Sequence, residues 1–375
     1  MPKLLFFVSE DWYFCSHRLP LARAAVKSGY EVVLLTRVRG CREEIESAGI
    51  RIVPLAMRRR SLNPYRELKT LIRICAVFRK EKPDLVHLVA LKPVLYGSTM
   101  ARLARVQCVV SAITGLGYVF SSRKLKALLL RPVLMVLLRV LLNRPRSKVI
   151  LQNPDDQNLL VGVGAVARER TVLIRGAGVD LRIFSPRPEE PGPLLVLLAS
   201  RMLWDKGIGE FVAAAKILHQ RHSSVNFVLV GDPDPENPSS VPEEQLIAWR
   251  EKGLVDWWGR QSDMPDVFRR AHIVCLPTSY GEGVPKVLLE AAACGRPIIA
   301  TDSPGCREIV RSGDNGLLVP VNDSAALSSA IELLIENPAL RRQMGARGRD
   351  IVVQEFSVEK VVSETVAVYK ELLRS

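Results

Sequence analysis

The chain has 375 residues (41.7 kDa), of which 48% are apolar and 25% charged; this predicts two globular domains and excludes a disordered or fibrous protein. The net charge of +14 is uneven, because residues 1–187 hold 33 basic and 13 acidic side chains while residues 188–375 hold 20 and 26. Residues 85–154 contain eleven Lys and Arg but no Asp or Glu, so the first half is expected to face an anionic partner: nucleic acid, membrane lipid or a phosphorylated substrate.

Short aliphatic runs alternate with longer amphipathic segments along the whole chain. The runs predict strands at Leu4–Val8, Glu31–Thr36, Leu85–Val89, Cys108–Ile113, Val149–Leu151, Leu194–Ala199, Val225–Val230, Ile273–Pro277 and Pro297–Ala300. The segments between them predict helices, among them Leu19–Ser28, Leu62–Arg79, Ile208–Arg221, Val284–Cys294 and Ser324–Asn337. Since aliphatic strands that alternate with helices form buried parallel sheets, the predicted fold class is α/β, with two Rossmann-like, doubly wound parallel-sheet domains.

A proline-rich segment predicts the domain boundary. Residues 185–193 carry four prolines and two glutamates between two aliphatic runs. The predicted domains are residues 1–185 and 186–355, followed by a C-terminal helix, 356–375, that packs back toward the first domain. Such sheets bind ligands at the carboxyl ends of their strands, so the site is expected in a cleft between the two domains.

Cysteine usage and apolar runs predict a cytoplasmic protein. The seven cysteines are dispersed without a CxxC pair or the spacing of metal ligands, which is typical of reduced thiols. The first apolar run is too short for a signal peptide. The longest one, Ala127–Leu142, is interrupted by Arg131, Pro132 and Arg139 and falls short of the roughly 20 residues that span a bilayer.

The densest motif follows the strand Ile273–Pro277 and reads SYGEGVPKVLLE, from Ser279 to Glu290. Its glycines permit a tight turn, and Pro285 suits the first position of a helix whose N-terminus can bind an anion. Glu290 has apolar neighbours, where a carboxylate needs a hydrogen-bonding partner such as the hydroxyls of a ribose. The alternative is a helix whose Glu290 points to solvent.

Two cations follow the strand Leu194–Ala199. Arg201 and Lys206 lie five residues apart on a loop that leads into a helix, where they can hold a diphosphate from two sides. The alternative is a pair of solvated side chains. The nearby sequence Asp232-Pro233-Asp234 has the form of a metal-diphosphate motif, but its proline-rich setting favours a simple turn, and no metal site is predicted.

These residues together resemble a known family. Arg201 with Lys206, Gly231, Trp258-Gly259, Glu282 with Glu290, and Ser303 to Glu308 resemble the family-4 retaining glycosyltransferases, whose GT-B architecture has two Rossmann-like domains facing across a cleft. His17 to Pro20, Lys92-Pro93, Thr114 to Phe120, Gln152-Asn153 and Gly178 to Asp180 resemble a bacterial subgroup that extends lipid-linked sugars for surface polysaccharide or glycans.

The resemblance implies roles for individual residues. Arg201 and Lys206 would neutralise the leaving diphosphate, Glu282 would contact the transferred sugar, and Glu290 would bind the donor ribose. Other implied donor-binding residues are Gly231, Gly259, Arg260, Gly283 and Val284. Implied acceptor-side residues are His17, Arg18, His87, Lys92, Thr114, Gly115, Gly117 and Tyr118. Retention would proceed without a metal or a protein nucleophile, because the leaving phosphate accepts the acceptor's proton.

The N-terminal half departs from the family pattern at two places. The glycine pair that commonly follows the first strand is replaced by Ser9 to Tyr13, and Thr114 stands where many members have a histidine. Backbone groups around Thr114, with His17 or His87, are the candidates for that positioning role. The alternative for His87, in the run Val-His-Leu, is a histidine of the core.

The basic residues of the N-terminal half predict contact with a membrane surface. Residues 123–148 place eight cations in an aliphatic segment, and on a helix Lys124, Arg131, Arg139 and Arg146 fall within an arc of roughly 80°. Together with Arg58, Arg59 and Arg60 they are predicted to face anionic lipid. The alternative is a buried helix with charged edges. Nucleic acid is disfavoured, because no binding module is recognisable and aromatic residues make up only 6%.

The sequence thus predicts a retaining glycosyltransferase on the cytoplasmic face of the cell membrane. It would move an N-acetylhexosamine or related sugar from a nucleotide-diphosphate donor, a UDP-sugar, to a polyprenyl-diphosphate-linked saccharide. The alternatives are another GT-B enzyme, with a soluble acceptor or as a nucleotide-sugar epimerase, and a non-catalytic sugar-binding scaffold.

Overall fold

The structure, a computed structural model, describes residues 1–57, 63–116, 125–222, 224–279 and 281–374, without the side chains of 125–128. The chain divides into two compact units, residues 1–177 with 358–375, and residues 178–357. The sequence places the boundary after residue 185, whereas the structure places it after Ala177. The proline-rich segment belongs to the second unit, where the Glu189 carboxylate accepts hydrogen bonds from Arg341 at 2.8 and 2.9 Å.

The first unit is built on a parallel sheet of seven strands in the order β3-β2-β1-β4-β5-β6-β7. The strands are β1 (Lys3–Glu10), β2 (Glu31–Arg37), β3 (Arg51–Pro54), β4 (Leu85–Val89), β5 (Cys108–Ile113), β6 (Ser147–Leu151) and β7 (Thr171–Leu173). The helices between them are α1 (Asp11–His17), α2 (Leu19–Lys27), α3 (Arg42–Glu46), α4 (Pro64–Glu81), α5 (Leu91–Leu103), α6 (Leu125–Leu142) and α7 (Pro154–Gly162).

The second unit has a parallel sheet of six strands in the order β10-β9-β8-β11-β12-β13. The strands are β8 (Leu195–Ala199), β9 (Asn226–Val230), β10 (Asp256–Trp257), β11 (Ile273–Leu276), β12 (Ile298–Thr301) and β13 (Gly316–Val319). The helices are α8 (Ile208–His219), α9 (Glu243–Glu251), α10 (Met264–Arg270), α11 (Lys286–Ala293), α12 (Pro304–Arg307), α13 (Ser324–Glu336) and α14 (Pro338–Glu355). The last helix, α15 (Val358–Arg374), returns to the first unit.

Each sheet carries a core on both of its faces. Along β1, Leu4 and Phe6 pack with α1, α2 and α15, while Leu5 and Phe7 pack with α4 to α7 on the opposite face. Along β8, Leu197 faces α10, α11 and α14, while neighbouring side chains face α8, α9 and α13. Because apolar side chains alternate between two helix-covered faces, the strands are aliphatic throughout. The prediction of two doubly wound parallel sheets is confirmed.

Candidate functional site

The strand order of the second unit reverses between β8 and β11. The chain runs from β8 outward to β9 and β10, and β11 begins the other half of the sheet. Ligands of doubly wound sheets bind outside the carboxyl ends of the strands at such a switch point. Arg201 and Lys206 directly follow β8, and Glu282 and Glu290 follow β11. The four predicted donor-site side chains therefore follow the two strands of one switch point, with Arg201, Lys206 and Glu282 in the connecting segments and Glu290 in the helix α11.

A close backbone approach joins these two loops. Gly207 ends the 3-10 turn Trp204–Lys206 with φ 77°, and a Cβ there would lie 2.1 Å from the carbonyl oxygen of Pro277. The Ser279 N–H donates to the Asp205 carbonyl at 3.0 Å. Only glycine fits this approach, which brings the Lys206 ammonium onto the Glu282 carboxylate as a partly buried ion pair.

The loop after β11 is also held from the side of β12. A Cβ on Gly305 would lie 1.6 Å from the carbonyl oxygen of Gly283, so the start of α12 packs directly on this loop. Gly283 and Val284 are buried. The helix α11 begins at Lys286 with Pro285 as its N-cap, two residues later than the predicted start at Val284. The backbone turn that carries Glu282 is thus supported from both neighbouring strands.

Glu290 is buried and has a partner on its own helix. Its side chain is 12% exposed and bonds to the Lys286 ammonium one turn earlier. Burial raises the pKa of the Glu290 carboxyl, and Lys286 opposes this rise. The solvent-directed alternative is therefore wrong. Sequence reasoning missed Lys286 as the partner, although the i,i+4 spacing was the available signal.

Arg201 is also paired. Its guanidinium donates to the Asp234 carboxylate at 2.7 Å, and the two side chains are 41% and 24% exposed. Asp232, two residues earlier, accepts the backbone N–H of Arg260 at 2.9 Å. The Asp-Pro-Asp sequence forms a loop in which each carboxylate bonds to a protein group.

Gly231 and Gly259 bring the loops after β8, β9 and β10 together. Gly231 has φ 130°, and a Cβ there would lie 1.9 Å from the Ser200 carbonyl oxygen. Its N–H donates to the Gly259 carbonyl at 2.8 Å, and Gly259 has φ 62°. Both predicted donor-site glycines thus occupy positions that disfavour any other residue.

The first unit has its own switch point, between β1 and β4. Ala90 follows β4 with φ 75° and ψ 161°, a conformation that is costly for a residue with a Cβ and is found mostly at functional sites. The predicted residues Thr114 and Gly115 follow the neighbouring strand β5, and Lys92 lies in the first turn of α5, where it pairs with Glu67 at 2.9 Å. No sequence signal marked Ala90.

Asp11 lies in the segment Ser9 to Tyr13, where β1 ends and α1 begins. Its carboxylate accepts the backbone N–H groups of Arg39, Gly40 and Cys41 at 2.6, 2.9 and 3.0 Å. Although burial acts to raise the pKa of Asp11, these hydrogen bonds lower it overall. A buried carboxylate therefore ties the start of α1 to the loop after β2.

His87 is a core residue, which corrects its acceptor-side prediction. It lies in the middle of β4, fully buried, with its ring stacked on Phe6 and its Nδ1 bonded to the Tyr369 hydroxyl of α15. Burial holds the pKa of His87 well below the usual value, so the ring is neutral. The alternative that placed this histidine in the core is right.

Arg18 is a buried cation without a counter-ion among the described residues. It lies between α1 and α2, is 3% exposed, and its Nε has no hydrogen-bond partner. The preceding His17 stacks on Tyr13, with ring centroids 4.2 Å apart. A buried guanidinium is costly unless an anion compensates it. Gly117 and Tyr118 lie outside the described residues.

The helix α6 presents an apolar outer face. Its exposed large apolar side chains are Leu129, Leu130, Val133, Val136, Leu137 and Val140. Arg139 is exposed among them and Arg131 is half-buried, so the alternative of a buried helix is wrong. No described helix combines the length and apolar character needed to cross a membrane.

The remaining cations that were predicted to face the membrane are Arg146, which the structure describes, and four residues that it does not describe. The helix ends at Leu142, and Arg146 lies beyond it, donating to the Gln107 side chain at 2.9 Å. The predicted four-cation helical face is therefore wrong at Arg146, because the chain leaves the helix before reaching it. Arg58, Arg59, Arg60 and Lys124 lie outside the described residues.

A second exposed apolar surface lies on α4. Tyr65, Leu68 and Ile72 are 77%, 56% and 63% exposed, and they adjoin a cavity of about 360 Å³ between α4 and α5. The cavity is lined by Leu68, Leu71, Ile72, Cys75, Ala76, Arg79, Met100 and Leu103. Sequence reasoning predicted this helix but not its apolar outer side.

Two family models match most of the chain. Residues 3–153 match the model described as "Glycosyl transferase 4-like", and residues 181–351 match "Glycosyl transferases group 1". The N,N'-diacetylbacillosaminyl-diphospho-undecaprenol alpha-1,3-N-acetylgalactosaminyltransferase of Campylobacter jejuni is 28% identical over 90% of each chain. The UDP-Gal:alpha-D-GlcNAc-diphosphoundecaprenol alpha-1,3-galactosyltransferase of Escherichia coli is 24% identical over 84% of this chain and 82% of the relative.

Solved structures share the whole fold. The HepE protein of Anabaena, in complex with UDP, superimposes with a TM-score of 0.78 at 19% identity and covers 99% of this chain and 100% of its own. The sucrose-phosphate synthase of Thermosynechococcus elongatus gives a TM-score of 0.79 at 22% identity over all of both chains. At these identities the likeness concerns the fold, and it confirms the predicted GT-B fold class.

Proposed function

Since the chain belongs to the glycosyltransferase family that these two domain models describe, we propose that it transfers a sugar from a UDP-sugar to a polyprenyl-diphosphate-linked saccharide. The observation that carries this proposal is the pairing of Arg201 and Lys206 with acidic side chains beside the β8/β11 switch point. The transferred sugar is an N-acetylhexosamine or a related sugar, and the product serves surface polysaccharide or glycan assembly.

Two cations bind the donor diphosphate and stabilise it as it leaves. Arg201 and Lys206 lie on one loop, which Gly207 holds against the loop after β11. As the bond between the sugar and the phosphate breaks, negative charge grows on the diphosphate, and fixed cations lower the barrier most when they already point at this charge. Before the donor binds, their partners Asp234 and Glu282 balance the two positive charges.

The second loop and the helix α11 that follows it bind the rest of the donor. Glu290, whose charged form Lys286 favours, accepts hydrogen bonds from the ribose hydroxyls, and Glu282 contacts the transferred sugar. The backbone of Gly283 and Val284 approaches the sugar and phosphate, while Gly231, Gly259 and Arg260 border the nucleotide. These roles follow the family resemblance, and the common switch point supports them.

The reaction retains the anomeric configuration and needs no metal ion. The acceptor hydroxyl oxygen bonds to the anomeric carbon on the face that the phosphate leaves, and its proton passes to the departing phosphate oxygen. No protein nucleophile takes part, so the protein contributes positioning and electrostatic stabilisation.

The first unit binds the acceptor. Arg18 supplies a buried positive charge for an acceptor phosphate. The other acceptor-side residues lie in the segments that follow β1, β4 and β5, beside the switch point of this unit: His17, Lys92, Thr114 and Gly115. Gly117 and Tyr118 remain predicted acceptor-side residues. The two relatives named above act, by their names, on undecaprenol-diphosphate-linked saccharides, which supports an acceptor of this class.

The same unit docks on the cytoplasmic face of the cell membrane. The apolar outer sides of α4 and α6 are interspersed with cations, among them Lys69, Arg73 and Arg139. Aliphatic side chains that enter the headgroup region, combined with cations that meet anionic lipid, are typical of interfacial helices. A lipid-linked acceptor is delivered to such a surface.

A donor panel tests the proposal. Purified protein is incubated with UDP, GDP and ADP and with UDP-N-acetylglucosamine, UDP-N-acetylgalactosamine and UDP-galactose, and thermal unfolding is followed. UDP and one UDP-N-acetylhexosamine should raise the Tm. Transfer to a synthetic polyprenyl-diphosphate saccharide, with the anomeric configuration read by NMR, then tests the chemistry. Absence of stabilisation by any nucleotide would overturn the proposal, and an inverted product would overturn retention.

A further inference from the structure

Asp234 is fixed opposite Arg201 by the folding of its loop. The loop that follows β9 runs alongside the loop that follows β8, joined by hydrogen bonds from the Met202 N–H to the Asp232 carbonyl at 3.0 Å and from the Trp204 N–H to the Ser239 carbonyl at 2.8 Å. The Val241 N–H returns to the Met202 carbonyl at 2.9 Å. The two loops therefore form one backbone unit.

The residues around Asp234 hold its backbone as well. Its N–H donates to the Ser240 hydroxyl at 3.0 Å, and its carbonyl accepts the Asn237 N–H at 2.7 Å. Asn237 is itself buried and accepts the Ser239 N–H through its side chain at 3.0 Å. The carboxylate thus projects from a rigid turn, and its ion-pair partner among the described residues is Arg201.

We propose that Asp234 is an internal competitor of the donor diphosphate for Arg201. The carboxylate occupies the guanidinium in the free enzyme, the incoming diphosphate displaces it, and it returns to Arg201 as the nucleoside diphosphate leaves. This inference rests on the proposed function, because it takes Arg201 as a cation that binds the diphosphate.

Because the two side chains are partly exposed, little free energy is needed to separate Asp234 from Arg201. The side chains of Arg201 and Asp234 are 41% and 24% exposed. Solvent therefore screens the attraction between them, and ion pairs of this kind are weak. A diphosphate carries more charge than a carboxylate and offers several oxygens to a guanidinium, so it wins the competition when bound. When it departs, Asp234 removes the unpaired positive charge that would otherwise hold the product.

A simple orienting role predicts the opposite effect. If Asp234 served to direct Arg201 at the ligand, its loss would weaken nucleotide binding. If Asp234 competes, its loss strengthens nucleotide binding and slows product release. The sign of the change in Kd therefore decides between the two roles.

The experiment measures the Kd of UDP by calorimetry for the wild type, Asp234→Asn, Arg201→Ala and the double variant. Asp234→Asn should bind UDP roughly two- to fivefold more tightly, the range that an exposed ion pair supplies. In the Arg201→Ala background the same change should have no effect, because the contested cation is gone. Under turnover, Asp234→Asn should lower the inhibition constant of UDP and the KM of the donor.

Asp314→Asn is the matched control. Asp314 pairs with Arg347 in the same unit at 3.0 Å, with side chains 42% and 43% exposed, but it precedes β13 and so lies toward the opposite edge of the sheet. Its loss should leave the Kd of UDP unchanged. The Tm of each variant without ligand, compared with that of the wild type, checks that the substitution leaves the fold intact. Asp234→Ser provides a second neutral side chain at the same position.

The outcomes separate the inference from the proposed function. Unchanged or weaker UDP binding by both Asp234 variants overturns the inference alone. Failure of the wild type to bind UDP, or undiminished binding by Arg201→Ala, overturns the role of Arg201 and with it both proposals.

Discussion

The Lys286 ammonium lies one helical turn before Glu290 and binds a carboxylate that the fold has buried. Burial raises the pKa of the Glu290 carboxyl, and Lys286 limits the rise. The cation thus favours the charged form of a residue whose proposed partner is a ribose. The same pairing gives a stability prediction with a definite pH dependence.

Replacing Lys286 by Met should destabilise the protein at neutral pH. Without its cation the Glu290 carboxyl has a still higher pKa in the folded state, so ionising it opposes folding. The free energy of unfolding should fall by about 1–3 kcal/mol near pH 7, the cost of leaving a buried polar group unpaired. This loss should shrink as the pH falls through the raised folded-state pKa of Glu290, because the carboxyl is then protonated in the folded state of both proteins.

Urea unfolding at pH 5 and pH 8 measures this effect. The double variant Lys286→Met/Glu290→Gln should recover most of the stability at pH 8, because no charge remains to be buried. A Lys286→Met deficit that is equal at both pH values would contradict the electrostatic explanation and leave lost packing against Phe184, whose ring centroid is 5.9 Å from the ammonium.

Lys206→Ala should lower kcat by about 10²–10³-fold, the effect of removing one preorganised group that stabilises transition-state charge. Lys216→Ala, an exposed lysine farther along α8, is the control and should be neutral. Steady-state transfer assays with saturating acceptor measure both. A loss confined to the KM of the donor would mean that Lys206 binds the ground state as strongly as the transition state.

Arg18→Met should stabilise the protein and impair transfer. Met keeps an unbranched apolar stem, although a shorter one than that of Arg, and removes a buried charge, a change that is neutral or stabilising by about 1–4 kcal/mol where buried ions are replaced by apolar groups. Urea unfolding gives the stability, and the KM of the lipid-linked acceptor gives the function. Arg23→Met, at an exposed position of α2, is the control. A destabilised Arg18→Met protein would show that the guanidinium is compensated within the fold.

Membrane docking should depend on the outer face of α6. Val136→Glu should reduce sedimentation with anionic vesicles about tenfold, because burying one aliphatic side chain contributes about 1.5–3 kcal/mol. Binding of the wild type should also weaken with rising salt. Leu333→Glu, at an exposed position of α13, should bind like the wild type. Equal loss in both variants would point to general misfolding.

Chelators should leave transfer intact. Asp232 and Asp234, the residues that resemble a metal-binding motif, accept hydrogen bonds from Arg260 and Arg201. Activity measured after EDTA treatment and gel filtration should equal that of the untreated enzyme. A loss that Mg²⁺ or Mn²⁺ restores would show that a metal takes part in holding the diphosphate.

The sequence predicted the central strands of both sheets and missed the edges. The four strands without a sequence prediction are β3, β7, β10 and β13, which are the outermost strands of the two sheets. Central strands are covered on both faces and read as continuous aliphatic runs, whereas these edge strands are only two to four residues long. Their pairing depends on neighbours that are distant in sequence.

The sequence by itself determined the alternation of strands and helices and the residue types beside each switch point. It places Arg201 and Lys206 after one predicted strand and Glu282 and Glu290 after another, and the family resemblance implies their roles at the donor. Only the tertiary structure decided which acidic side chain pairs with which basic one. Asp234 reaches Arg201 because β8 and β9 are neighbours, Glu282 reaches Lys206 because β8 and β11 are, and strand order is set by packing between residues far apart in the chain.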